Sequence, residues 1–214
     1  MDIRADLSKP AQVRRSEWQW VDSPQAGVRR VMLDRVGDEV AVATSFVRYD
    51  PASRFPGHDH ALGEEFVVLE GEFGDEHGRY PPGSYIRNPP GSHHVPFSDP
   101  GCLIWVKLRQ FQTDDLAELR TRLDLPIPAS GCKRRTLHRF GTEDVAEITA
   151  AAGARIKLPA AAVCQEVLVL EGEVRTDAGE VLDLHAWLRR PAGSGIALQA
   201  VTPCRLLWKT RPAG

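Results

Sequence analysis

The segment EFVVLEGE at residues 65–72 returns as EVLVLEGE at residues 166–173. SYIRNPPGS (84–92) returns as AWLRRPAGS (186–194), and CLIWVK (102–107) returns as CRLLWK (204–209). The first block is offset by 101 residues and the other two by 102, because the second copy has one extra residue between its counterparts of Gly78 and Gly83. Three blocks in the same order at a nearly constant offset mark a tandem duplication. The fold must therefore be one that a unit of about 100 residues can form twice.

Each copy reads as β-structure. VRRVML (28–33), EVAVATSFVRY (39–49), FVVLEGEF (66–73), SYIRN (84–88) and CLIWVKL (102–108) are β-branched or alternating runs. The turn Gly37-Asp38 and the Pro-Pro-Gly turns at 81–83 and 89–91 separate them. Short strands at close intervals predict an all-β protein built of antiparallel sandwiches or barrels. One stretch departs from this pattern. In TDDLAELRTRLDLP, Thr113 is placed to cap a helix, Asp114 and Asp115 suit its positive end, and Leu116, Leu119 and Leu123 make one stripe before Pro126. The expected organisation is a first unit at 1–112, a helix and linker at 113–135, and a second unit at 136–214.

Composition closes off other classes. The net charge is -2 and the pI near 6.4, so nothing favours a nucleic-acid partner. The densest basic run, Lys133-Arg134-Arg135, reads as a solvated linker. No apolar run approaches the ~20 residues needed to span a bilayer, and MDIRADLSKP lacks a hydrophobic signal region. The expected location is cytoplasmic. Cys102, Cys132, Cys164 and Cys204 are far apart and form no CxxC pair, which favours free thiols packed in the core.

The chemistry concentrates in PGHDHALGEEFVVLEG at 56–71. Residues i and i+2 of a strand share a face, so His58 and His60 present two imidazoles together while Asp59 turns away. Glu64 adds a carboxylate after a short turn, and His94 follows the turn at 89–91. Histidine nitrogen joined by carboxylate oxygen is the donor set of a divalent transition metal. The duplication provides a control. Its second copy has Pro159, Ala161, Gln165 and Ile196 in place of His58, His60, Glu64 and His94. Glu65 survives as Glu166 and is read as structural, which leaves Glu64 as the ligand.

These residues resemble the cupin superfamily, whose two motifs have the forms G(x)5HxH(x)3-4E(x)6G and G(x)5PxG(x)2H(x)3N. His58-x-His60-x3-Glu64-x6-Gly71 fits the first from its first histidine onward, and Gly83-x5-Pro89-x-Gly91-x2-His94 fits the second through its histidine. Ala52 and Ser98 replace the leading glycine and the final asparagine. The run GEEFVVLEGEFGDEHGRYPPGSYIRNPPGSHHVP with GCLIWVKLRQF resembles the cupin domain of ChrR-type anti-sigma factors and acetylacetone-cleaving dioxygenase-like cupins. The resemblance implies a bicupin of two jelly-roll barrels packed as a pseudo-dimer. It also implies one metal per chain on His58, His60, Glu64 and His94, while the ligands missing from the second copy predict a second barrel free of metal.

Zn and Fe(II) suit three imidazoles and a carboxylate, as do Mn and Ni, better than Mg or Ca. His93 is expected to point away from the barrel, at its rim or behind the ligands. Phe66, Tyr85, Phe97 and Trp105 are possible pocket residues, with core packing the commoner role. His77, His138 and His185 are read as turn, structural or surface residues. Two functions follow, with a small-molecule ligand or substrate as the expected partner and a homodimer possible. The favoured one is a metal-dependent, dioxygenase-like enzyme acting on an oxygen-chelating compound. The other is a ChrR-like sensory cupin, and a metal-stabilised protein without turnover is the blandest. The resemblance implies that sigma binding requires an N-terminal zinc domain of His and Cys ligands. Residues 1–57 contain neither residue, so sigma-factor binding is disfavoured.

Overall fold

In each copy the alternating apolar runs pair into one large antiparallel sheet that is closed by smaller ones. The structure, a computed structural model, describes residues 1–38 and 40–211. Glu39, the first residue of the segment at 39–49, and residues 212–214, the end of the second expected unit, lie outside the described residues. Among the described residues there is no α-helix, and Arg15–Glu17 form one 3-10 turn. Among the described residues no helix is long and apolar enough to cross a membrane.

The chain divides into two compact units, Met1–Ala5 with Gln19–Asp124, and Asp6–Trp18 with Leu125–Gly214. In the first unit the main sheet runs Leu119–Arg122, Ser84–Asn88, Glu64–Gly71, Cys102–Leu108, Val42–Tyr49, Val28–Val36 and Val21–Asp22. A ribbon of His58–His60 with Ser92–His94 and a four-stranded sheet of Ser53–Arg54, Phe97–Ser98, Phe73–Asp75 and Gly78–Tyr80 complete it. Alternation along the strands places Phe66, Val68, Ile86, Ile104 and Val106 in one buried cluster with Phe73 and Tyr80. At roughly 1.5–3 kcal/mol per fully buried large side chain, this cluster is a main source of the unit's stability. In the second unit the order is Ala11–Val13, Trp187–Arg190, Cys164–Glu171, Cys204–Arg211, Glu143–Ala150 and Cys132–Phe140. There the first strand comes from the N-terminal segment, at the sheet position that Leu119–Arg122 takes in the first unit.

The turn that ends the repeated EGE segment is shared. Gly71 has φ 70° and Gly172 φ 74°, and a Cβ on either would overlap the carbonyl oxygen of Gly101 or Pro203. Ala52, where the cupin motif has its leading glycine, keeps the left-handed backbone with φ 60°. That conformation costs an L-residue roughly 1–2 kcal/mol.

Two expectations are corrected. The stretch after Thr113 is not helical. Leu119–Arg122 is a strand that pairs antiparallel with Ser84–Asn88, and Leu116 lies exposed. An isolated helix of about ten residues is marginal in water, whereas the open edge of the Ser84–Asn88 strand offers a row of unpaired backbone groups. Asp115 is drawn into the interior by Arg87 instead of serving a helix end. The run Lys133-Arg134-Arg135 lies within the strand Cys132–Phe140 and not in a linker. Its arginines are paired, Arg134 with Asp144 and Arg135 with Glu147.

Cys102, Cys164 and Cys204 are buried and Cys132 is exposed. Burial pushes the Cys102 and Cys204 thiols up to about 11, which suppresses their reactive thiolate forms. The native protein should therefore expose one fast thiol to Ellman's reagent and release all four only on denaturation. Cys132→Ser should abolish the fast phase; a second fast thiol in that variant would contradict this burial.

Candidate metal centre

The ribbon of His58–His60 and Ser92–His94 sets His94 opposite His58 and His93 opposite Asp59. Cross-strand partners share a face, so His58, His60 and His94 converge on one side. Their ring centroids lie 5.0, 4.8 and 4.6 Å apart, and one nitrogen from each fits within 4.8 Å of the other two. Glu64 opens the neighbouring strand and brings its Oε2 to 3.5 Å from His60 Nε2 and 3.8 Å from His94 Nε2. All four side chains expected as ligands are thus brought together. His60, His94 and Glu64 are buried, while His58 stays exposed at the solvent side.

This cluster fits a divalent transition metal. His60 Nε2 is buried with no hydrogen-bond partner, a costly state that a metal bond removes. Burial lowers the His60 pKa, the near histidines add to this, and Glu64 only partly opposes it. The ring is therefore neutral and free to offer its lone pair. His58 Nδ1 lies 3.2 Å from the Pro56 carbonyl, an arrangement that holds the proton on Nδ1 and leaves Nε2 open. Asn88, paired opposite Glu64, donates from Nδ2 to Glu64 Oε2 at 3.2 Å.

Asp75 was not among the expected site residues. Asp75 is buried, with its Oδ2 3.6 Å from His94 Nδ1. Its Oδ1 accepts from the Tyr80 hydroxyl at 2.9 Å and the His77 amide at 2.8 Å, and Arg120 Nε donates to the Tyr80 oxygen at 3.0 Å. Burial pushes the Asp75 carboxyl up, but His94, the His77 amide and Tyr80 outweigh it and hold it below its usual value. An ionised carboxylate behind a histidine fixes its tautomer and raises its basicity. Asp75→Asn should weaken metal affinity by about 10–100-fold. Competition against a chromophoric chelator reads this directly, and an unchanged affinity would exclude the role.

Other expected site residues separate by sheet face. Phe66 shares the face of Glu64 and packs at a tilt against Phe73, whose ring lies 6.0 Å from His94. Tyr85 and Trp105 both pair with Val67, so they stand on the opposite face from the histidines and cannot line this pocket. There the Tyr85 hydroxyl donates to Glu65 Oε2 at 2.6 Å. Alternation explains this correction: Tyr85 precedes the inward Ile86, and Trp105 follows the inward Ile104. Phe97 lies under the guanidinium groups of Arg54 and Arg79. His93 is exposed and bonded to Asp59 at 2.8 Å. His77 is exposed, and His185 is buried against Trp18 and Arg15.

A cavity of about 310 Å³ adjoins the cluster, with His58, Tyr49, Phe55, Arg30, Arg35 and Ala43 among its lining residues. The second unit has closed the corresponding space. Gln165 donates from Nε2 to the Pro159 and Ser194 carbonyls, both at 2.8 Å, and its Oε1 accepts from Trp208 Nε1 at 2.9 Å. Trp208 occupies the position of Val106 and fills the interior with indole.

Residues 8–112 match the family described as ChrR Cupin-like domain. No curated protein matches the chain significantly. Among solved structures, the pirin YhhW of Escherichia coli in complex with nickel(II) is similar at 13% identity and TM-score 0.72, covering 96% of this chain and 100% of that one. A cupin 2 conserved barrel domain protein from Leptotrichia buccalis is similar at 12% identity and TM-score 0.66, covering 98% and 99%. The salicylate 1,2-dioxygenase of Pseudaminobacter salicylatoxidans is similar at 13% identity and TM-score 0.64, covering 96% and 85%. At these identities the likeness is one of fold, and it extends over both copies. With its motif residues and the match over 8–112, the first unit is a ChrR Cupin-like domain, and the solved structures show the cupin fold over both copies.

Proposed function

We propose that this chain is a metal-dependent, dioxygenase-like enzyme acting on a small molecule, with one divalent ion held by His58, His60, His94 and Glu64. The observation that carries this reading is the convergence of three imidazoles and a carboxylate beside a cavity that His58 also lines. A closed, purely structural metal site would have no need of that adjoining space. When bound, Fe(II) would supply redox chemistry with dioxygen, whereas Zn would supply Lewis-acid polarisation or structure alone. The chain's own residues prepare the site. Asn88 steadies Glu64, Asp75 orients His94, and the rings of Phe66 and Phe73 keep the inner side dry.

The test is oxygen uptake by the Fe(II)-loaded protein across 1,3-diketones, flavonols and thiols, with His94→Ala as the blank. Uptake that persists in the blank would remove the metal centre from the reaction. A ChrR-like sensory role is the second reading, favoured by the match over residues 8–112. Metal-independent silence on the whole panel together with tight sigma-factor binding would place that reading first.

A further inference from the structure

The strand Val28–Val36 carries Arg30 and Arg35 into the cavity wall. Five residues apart on a regular strand, they would face opposite ways. A β-bulge between Met32 and Asp34 resets the alternation, so Arg30 pairs with Val47 and Arg35 with Ala43, two residues that also line the cavity. Arg30 is half-buried, donates from Nη2 to the Ser23 hydroxyl at 3.0 Å, and keeps a buried Nε with no hydrogen-bond partner. Arg35 is buried and donates to the backbone carbonyls of Gly37 and Asp38. Neither forms an ion pair with a carboxylate among the described residues.

The duplication shows what such a pair is built to hold. In the second unit the strand Cys132–Phe140 has the same register and the same bulge, which equates Arg134 with Arg30, Arg139 with Arg35, and Asp144 with Ala43. There one carboxylate oxygen joins the pair: Asp144 Oδ2 accepts from Arg134 Nη2 at 2.6 Å and from Arg139 Nε at 3.2 Å. The first unit keeps both arginines and replaces the carboxylate with a methyl group. Where the second unit places the Trp208 indole, the first has Val106 and an open cavity.

We propose that the cavity beside His58 takes a small organic carboxylate, seated between Arg30 and Arg35 in the place that Asp144 fills in the second unit. The proposal deepens the reading of this pocket as a substrate site by naming the substrate class. Two guanidinium groups offer the paired donors that carboxylates accept. Burial, and then the Arg35 charge, lowers the Arg30 pKa, a penalty that an anion between them would relieve. A volume of about 310 Å³ limits the ligand to a small acid.

Calorimetric titration of the metal-loaded protein with benzoate and 2-oxobutanoate, against the neutral benzamide and 2,3-pentanedione, tests this. At least one acid should bind tenfold or more tightly than its neutral counterpart. Arg30→Gln should remove that preference while leaving the metal content unchanged. Ala43→Asp, which rebuilds the second unit's ion pair, should also remove it without lowering the melting temperature. Should that variant fail to fold, Arg35→Gln serves in its place. Acids that bind no better than their neutral counterparts, or a preference that survives in Arg30→Gln, would overturn the proposal. A protein with one metal per chain and no preference for acids loses this inference alone. An Arg30-dependent preference in a protein that takes up no metal keeps the anion site and removes the metal reading.

Discussion

Purified without chelators, the protein should carry one transition-metal ion per chain, and His60→Ala or His94→Ala should lower that occupancy at least about tenfold. The magnitude exceeds a supporting-residue change because a donor itself is lost. His60 and His94 are buried, so no solvent molecule readily replaces either imidazole. His77→Ala should leave occupancy unchanged, since that ring is exposed and only its backbone amide serves the centre. The count should be one and not two. The second unit offers Pro159, Ala161 and Ile196 at the corresponding positions, and Gln165 is committed to two carbonyls and an indole. Elemental analysis finding two ions per chain, or full metal in a His58/His60 double alanine variant, would contradict the assignment.

Arg87→Ala should cost about 3–5 kcal/mol of stability, enough to lower the melting temperature by roughly 6–20 °C. Arg87 is fully buried, donates to Glu65 at 3.0 Å and to Asp115 at 2.7 Å, and lies 4.2 Å from the centroid of the Phe111 ring. Truncation takes the guanidinium away from two buried carboxylates at once. Tyr85→Phe, which removes one hydrogen bond to the same Glu65, should cost only about 1 kcal/mol. Urea unfolding measures both. A loss for Arg87→Ala no larger than for Tyr85→Phe would mean that the charges are solvated after all.

The candidate metal cluster was legible because it obeys local rules. His58 and His60 share a strand face, and the contrast with Pro159 and Ala161 isolated them from residues kept by the fold. The same contrast applied more widely would have found Asp75 and Asn88, whose counterparts are Thr176 and Arg190. Arg30 and Arg35 were hidden for a different reason. Their common face depends on a bulge that alternation cannot anticipate. The leucine stripe at 116–123 misled because the edge of the Ser84–Asn88 strand competed for the same backbone. Tyr85 and Trp105 were aromatic residues judged by type and not by parity with Ile86 and Ile104. The ChrR-like region was visible in its wording, but the membership of residues 6–18 in the second unit was not, since nothing local encodes a partner so distant.

That distant pairing has a consequence for how a ribosome delivers the protein. Val13 pairs with Trp187, so Ala11–Val13 meets its partner strand only after about 170 further residues have been made. At 5–20 residues per second the interval is roughly 10–35 s. During it the first unit can form while Ala11–Val13 waits as an unpaired strand. Ala11–Val13 is short, and basic residues stand close by at Lys9, Arg14 and Arg15. Short length and charge are the features that keep a waiting edge from joining a neighbouring nascent chain.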